Sequence, residues 1–322
     1  MIAHPLAFKS NGKGEDLSPA QLASINSVGA KLLEQCRDKW RAEGVFDEMC
    51  DYCCDPDTVR RFLVARTWNE TKALNQLMAM QQWRLVEKPW TKPFHESPVC
   101  LNNPYALSMR CIGLDDSDRP VIYSVFSQAN DRFDVNKNVM HMRYLINACE
   151  GIIIKLRRSG RTRNADQMQM VWVIDFHGFT VWDQNPNSAV ETGRLMAHFP
   201  EMLNMCVLID APWLFNATWK LVSSVLDERV AKKVSFVSVD KLASTLSGRL
   251  GERMCKWIVE EALEARKKLA DPKSLRKYWI APSNPDEHDP RGAPGYVGSD
   301  LYVKTPGDAF EERMQQQDQQ KS

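Results

Sequence analysis

Apolar residues along the chain follow two patterns, and their alternation predicts the architecture. In Val121-Ile122-Tyr123-Ser124-Val125-Phe126, in Met170-Val171-Trp172-Val173-Ile174-Asp175 and over 205–209 and 234–238, the runs are short and nearly unbroken. Such runs are too short for helices and too continuously apolar for one-sided strands, so they predict strands buried on both faces of a parallel sheet. Between them the period lengthens. Met142, Leu145, Ile146, Cys149, Ile152, Ile153 and Leu156 recur at i, i+3, i+4 and i+7, which predicts a long amphipathic helix. Two more helices are expected, over about 186–198 and from Trp213 to Leu226, the second with Phe215, Trp219, Val222 and Leu226 on one bulky stripe. Alternation of strands and helices implies right-handed crossovers and a mostly parallel sheet. Pro200 stops the second crossover helix and leaves Glu201 just ahead of a strand.

The N-terminal part carries helical periods alone. Ser18 caps a helix that starts at Pro19 and runs to about Ala42, with Leu22, Ile25, Leu32 and Leu33 as its stripe. A short helix over 57–66 turns Val59, Phe62 and Leu63 inward, and Arg66 falls on the same face by spacing. A cation there needs an anion, either a neighbouring carboxylate or a ligand phosphate. Asn69 caps a further helix with Leu74, Leu77, Met78 and Leu85, ending near Pro89. The expected organisation is therefore a loose arm (1–17), a helical unit (18–95), an α/β domain (96–282) and a mostly flexible polar tail (283–322). The last helix of the α/β domain carries Leu250, Met254, Trp257, Ile258 and Ala265.

Composition narrows the function classes. A chain of 322 residues with 43% hydrophobic content can bury a full core, and its net charge of +1 sets up no global field for nucleic acid. No stretch is long and apolar enough to span a bilayer, and Met1–Ser10 lacks the order of a secretory signal. A cytoplasmic protein that meets membranes peripherally is expected. Nine cysteines, mostly scattered through apolar segments, read as reduced core residues. Cys50, Cys53 and Cys54 supply half of a zinc site with no second half, so no metal is expected. The basic turn Lys155–Arg163 reads as a solvated loop or a place for acidic headgroups. No nucleophile elbow, phosphate loop or dinucleotide fingerprint occurs. Asp175 and His177 at a strand end are half of a mechanism, and Asp175 accepting backbone N–H bonds in the turn is the simpler use. No catalytic residue is assigned, and the sheet is read as serving a binding cavity.

Five ordered motifs carry a resemblance. Arg60-Arg61-Phe62-Leu63-Val64-Ala65-Arg66, Asp118-Arg119-Pro120-Val121, Ile174-Asp175-Phe176-His177-Gly178, Phe199-Pro200-Glu201, and Asp210-Ala211-Pro212 through Leu226-Asp227 to Lys233 stand in the order and at the spacing of the CRAL-TRIO family. That family of lipid carriers includes the yeast phosphatidylinositol transfer protein and the retinaldehyde- and tocopherol-binding proteins. The resemblance implies a helical N-terminal unit beside a cup with a mostly parallel sheet floor and a mobile gate helix. It implies a bound lipid in place of a cofactor, and headgroup contacts from Arg66, Glu201 and Lys233, with Thr180 matching a hydroxyl that meets choline lipids. It also implies a gate or membrane contact through Trp213, Phe215, Trp219, Val222 and Leu226. Val230 replaces a frequent threonine and Ser244–Gly248 replaces a glycine-rich close, so phosphatidylinositol is favoured and a choline lipid is left open. The implied partners are a phospholipid and, transiently, a membrane surface, with the tail after Pro282 as a contact for another protein. Three rivals remain at this level: a carrier of a single hydrophobe such as a tocopherol or retinoid, a lipid-regulated interaction module, and a hydrolase built on Asp175 and His177.

Overall fold

The computed structural model describes residues 17–92, 109–126, 135–158, 169–180, 186–213, 215, 219–220, 223–224, 228–267 and 315–320. The expected arm and most of the expected tail lie outside them; residues 315–320 are helical and exposed. The chain divides into two compact units, one built on its first 91 residues together with Met196–Met202, the other on the sheet.

The first unit is helical: α1 (Pro19–Ala42), α2 (Phe46–Cys53), α3 (Pro56–Ala65) and α4 (Glu70–Glu87). Local chemistry sets the boundaries. Ser18 and Gln21 close a reciprocal capping box at α1, while Asp55 and Asn69 accept the backbone N–H of Thr58 and Lys72 at the starts of α3 and α4. Ile25, Val28, Leu32, Cys36 and Trp40 make the buried face of α1, and Val59, Phe62, Leu63, Leu77 and Met80 meet it as core residues. Burying each large side chain is worth about 1.5–3 kcal/mol, which is what four helices with modest propensity need to hold together. One polar tie crosses that core, Trp40 Nε1 donating to Gln81 Oε1 at 3.1 Å.

The second unit is a sheet in the order β1 (Met109–Leu114), β2 (Pro120–Val125), β3 (Met170–Asp175), β4 (Leu203–Ile209), β5 (Val234–Val237), antiparallel at β1 and parallel from β2 onward. Its helices are α5 (Val135–Arg158), α6 (Pro186–Met196), α7 (Glu228–Ala231), α8 (Leu242–Leu246) and α9 (Glu252–Ala265). All seven apolar positions expected on the long helix are buried in α5.

The strand order never reverses, and this has a topological consequence. Successive right-handed crossovers that step in one direction place their helices on one face of a sheet. Register shows what covers each face. Tyr123, Val173 and Val207 align on one, where the Trp257 ring of α9 packs edge-on against Tyr123 at 5.9 Å. Ser124, Ile174, Leu208 and Phe236 align on the other, where Trp219 meets Phe236 at 5.6 Å.

The turn between β1 and β2 is locked from within and from the residues that lead into α9. Asp115 accepts the backbone N–H groups of Ser117 and Arg119 and pairs with Arg119 Nε at 2.7 Å. Burial nevertheless pushes the Asp115 carboxyl up, these bonds only partly offsetting it. Arg119 reaches on to the Arg249 carbonyl, and Asp116 N–H donates to Leu250 O. Gly251 follows with φ +83°, and a Cβ there would overlap the Asp116 carboxylate. The carboxylate can swing aside but the left-handed backbone is fixed, so Gly251→Ala is expected to lower stability by about 1–2 kcal/mol. Urea unfolding checks this, with a lower midpoint and an unchanged slope as the expected result.

Candidate functional site

Aromatic side chains gather where β2 and β3 end. Phe126, Phe176 and Phe179 contact one another at centroid distances of 5.3, 4.9 and 5.2 Å. Phe215 adds to them from the segment after β4, at 4.7 Å from Phe176 and 6.4 Å from Phe179. Phe215, Trp219, Lys220, Ser223 and Ser224 are helical, in agreement with the helix expected from Trp213 onward. Val222 and Leu226 lie outside the described residues. Phe215 therefore turns its ring onto the protein, while Trp213 is 78% exposed and stands in solvent. The two residues expected to act alike at a membrane are placed differently. Each aromatic pair holds this segment by about 0.5–1.5 kcal/mol beyond the area it buries, a modest grip for an element that covers one face of a sheet.

The opposite face is held by charge. Arg266, just past α9, takes both oxygens of Asp175 in a fork, at 2.8 and 2.9 Å, and reaches Asp210 at 2.7 Å. Asp175 is fully buried and also accepts the Tyr123 hydroxyl at 3.1 Å and the His177 backbone N–H at 2.9 Å. Asp210 has φ +49° and accepts the Val239 N–H, joining the ends of β4 and β5. Asp175 is engaged with Arg266, and the bond His177 gives it comes from the backbone N–H.

Arg66 and Glu201 belong to the helical unit, Lys233 and Thr180 to the sheet unit. Arg66 closes α3, its N–H still bonded to the Phe62 carbonyl. The helix ends at Ala65, Arg66 is its C-cap, and Thr67 and Trp68 follow with φ of 50° and 60°. The side chain of Arg66 is half-buried and makes no hydrogen bond or ion pair with the described residues. Glu201 also has a left-handed backbone, φ +58°. Left-handed non-glycine residues cost of order 1–3 kcal/mol and concentrate at sites where a side chain must be aimed. Lys233 is half-buried and directly precedes β5, its carbonyl accepting the Cys206 N–H at 2.9 Å, and Glu201 precedes β4, the parallel neighbour of β5. Thr180 is half-buried past the turn that follows β3.

One buried arginine has no counterpart in the sequence reading. Arg61 donates to the Tyr52 hydroxyl and to Thr58 Oγ1, each at 3.3 Å, and to the Pro200 carbonyl at 3.5 Å. It lies off the apolar stripe of α3, so periodicity alone pointed it at solvent. Near it, Arg84 places its guanidinium carbon 3.4 Å from the centre of the Tyr52 ring. The cysteines 50, 53 and 54 occupy α2 and its C-cap, and a hydrogen bond with Cys50, reinforced by burial, raises the Cys54 thiol. Among the described residues no cluster of three His, Cys, Asp or Glu side chains is arranged to hold a metal, and no helix is long and apolar enough to cross a membrane.

Comparison with known proteins agrees with this architecture. The CRAL/TRIO domain family matches residues 109–255. A CRAL-TRIO domain-containing protein, C3H8.02 of Schizosaccharomyces pombe, is 26% identical over 250 residues, covering 72% of this chain and 52% of its own. The phosphatidylinositol transfer protein CSR1 of Eremothecium gossypii is 26% identical over 201 residues, covering 58% of this chain and 43% of its own. The chain thus spans about half or less of the length of these relatives. The crystal structure of Sfh5 superposes with a TM-score of 0.55 at 16% identity over 86% of this chain and 96% of that one, which shows a shared fold.

Proposed function

We propose, from the premise that residues 109–255 belong to the CRAL/TRIO domain family, that this chain binds a phospholipid and transfers or presents it between membranes, phosphatidylinositol being the favoured ligand. The observation that carries the reading is the unequal closure of the two sheet faces. On one, a buried fork of charge ties Arg266 to Asp175; on the other, the described contacts of the segment after Trp213 are ring edges, Phe215 on Phe176 and Trp219 on Phe236, which stays 49% exposed. Lifting a two-chain lipid from a bilayer strips roughly thirty methylenes of their surroundings at about 0.8 kcal/mol each. A carrier must offer a comparable dry wall, and a cover held by ring contacts can yield to admit the chains. Exposed Trp213 would lead that cover into the interface, where indole rings are favoured, at a membrane the protein meets peripherally from the cytoplasm.

In this reading Arg66 and Lys233 neutralise or hydrogen-bond the phosphate and the inositol ring, and Glu201 accepts hydroxyl protons. The relative named as a phosphatidylinositol transfer protein and the left-handed Glu201 support that choice of headgroup. Thr180 is the residue through which a choline lipid would be held. Lipid extracted from the purified protein and identified by mass spectrometry tests the ligand class, and a tocopherol or retinoid in its place would move the chain to the single-hydrophobe reading. Lys233→Ala and Glu201→Ala are each expected to slow vesicle-to-vesicle phosphatidylinositol transfer about tenfold or more, the loss of one charge-assisted contact, with the thermal midpoint unchanged. Unchanged transfer would take these residues out of the site.

A further inference from the structure

We propose that Arg61 is a positioning residue for Glu201: its guanidinium holds the Pro200–Glu201 peptide in the orientation that aims the Glu201 carboxylate. The proposal rests on the headgroup role given to Glu201 above and adds to it a residue that touches no lipid.

The geometry is that of a tight turn with an unusual occupant. Met202 N–H donates to Phe199 O, closing a four-residue turn with Pro200 second and Glu201 third. Glu201 has φ +58°, which marks the turn type that ordinarily requires glycine or asparagine at the third position. This type differs from the commoner one, which any residue accepts, chiefly by a flip of the central peptide. The carbonyl of that peptide belongs to Pro200, and it receives the Arg61 Nη1 donor. Arg61 is itself fixed by Tyr52 and Thr58. A glutamate left to itself would relax the peptide to the common form and swing its carboxylate away.

The same stretch is gripped on its other side. Gln76 Nε2 donates to the Ala197 carbonyl at 3.0 Å, and the Trp83 ring stacks on His198 at 4.7 Å and meets Phe199 edge-on at 5.5 Å. Phe199 and Met202, the first and last residues of the turn, are both buried. With its ends anchored, the turn can still differ by the flip of its middle peptide. Arg61 donates to the carbonyl of that peptide.

The test is a double-mutant cycle read with two lipids. Arg61→Met, Glu201→Gln and their combination are loaded from phosphatidylcholine vesicles with and without added phosphatidylinositol. Arg61→Met is expected to weaken phosphatidylinositol binding about tenfold and to leave phosphatidylcholine uptake unchanged, and the double variant is expected to bind phosphatidylinositol no worse than Glu201→Gln alone. A purely structural arginine would lower both lipids together, or add its loss to that of Glu201→Gln, and either result overturns the proposal. Should Arg61→Met not fold, Arg61→Lys, which keeps the charge and loses the fork, is measured in its place with the same expected split. Glu201→Gln binding phosphatidylinositol like the unaltered protein would sink the headgroup assignment and this inference with it. Loss in Glu201→Gln with none in either Arg61 variant sinks the inference alone.

Discussion

Arg266→Leu is expected to lower the unfolding free energy by about 3–5 kcal/mol, because it leaves a fully buried carboxylate without its counter-charge. Asp175 has no access to water and gives both oxygens to Arg266, so the remaining donors, the Tyr123 hydroxyl and the His177 N–H, would have to carry a whole negative charge. Burial alone would pull the Arg266 guanidinium down, but hydrogen bonds and charge from Asp175 and Asp210 raise it further, so the arginine keeps its charge. The second contact, to the partly exposed Asp210, is screened by solvent and adds little. Asp175→Asn in the Arg266→Leu background removes the orphaned charge and is expected to recover a large part of the loss. Chemical unfolding of the three variants decides it, and a loss below about 1 kcal/mol in Arg266→Leu would show that the site relaxes or admits water. The fork lies on the face away from Phe215 and Trp219, so the folded fraction of Arg266→Leu should still take up lipid.

Much of the sheet unit was readable because β2, β3 and β4 are buried on both sides; the same expectation fails for β5, an edge strand that is half-buried and exposes Phe236. Val171 and Trp172 in β3 and Val207 and Leu208 in β4, neighbours that point to opposite faces, write that two-sided burial directly into the sequence, and α5 shows its seven-residue stripe without interruption. β1 was not readable. Its Met109-Arg110-Cys111-Ile112-Gly113-Leu114 mixes a charge with a glycine that sits at a register shift, so neither period survives. α2 was hidden by its cysteines, which drew attention to metal chemistry when they are packed thiols of a short helix. The largest difference concerns α3. Spacing ran the helix through Arg66, which is its C-cap and keeps the bond to Phe62, and the left-handed Thr67 and Trp68 end the helix there. The buried arginine is Arg61, off the apolar stripe, because Tyr52 and the turn at Pro200 cover that flank from a distance in sequence that periodicity cannot sense. The candidate headgroup residues were legible through ordered motifs, and what those motifs do for the backbone became visible only in the left-handed turn at Glu201 and the Asp210 bridge to β5.

His141 should make the protein sensitive to mild acid. It lies on α5, fully buried, with Nε2 2.9 Å from the Met109 carbonyl, so a neutral ring with its proton on Nε2 ties the helix to the first strand. Burial pulls its pKa down from 6.5 to about 4, the bond to Met109 opposing this only in part. The unfolded chain therefore binds a proton that the folded chain refuses. Its contribution to stability is complete above about pH 6.5 and is lost as pH falls, at roughly 1.4 kcal/mol per unit, amounting to about 3 kcal/mol near pH 4. Other groups titrate in the same range. Glu70, lowered chiefly by bonds from Ser24 and Lys31, also costs stability on acidification, whereas Asp115, raised by burial, acts in the opposite sense. The comparison that isolates His141 is with His141→Gln, which keeps a donor for Met109 and cannot charge. Between pH 7 and 4.5 the gap in unfolding free energy between the two proteins is expected to change by about 2–3 kcal/mol in favour of the glutamine variant. A gap that stays flat over that interval would mean that His141 takes up its proton without leaving the folded state. The predicted acid sensitivity would then have to come from carboxylates alone.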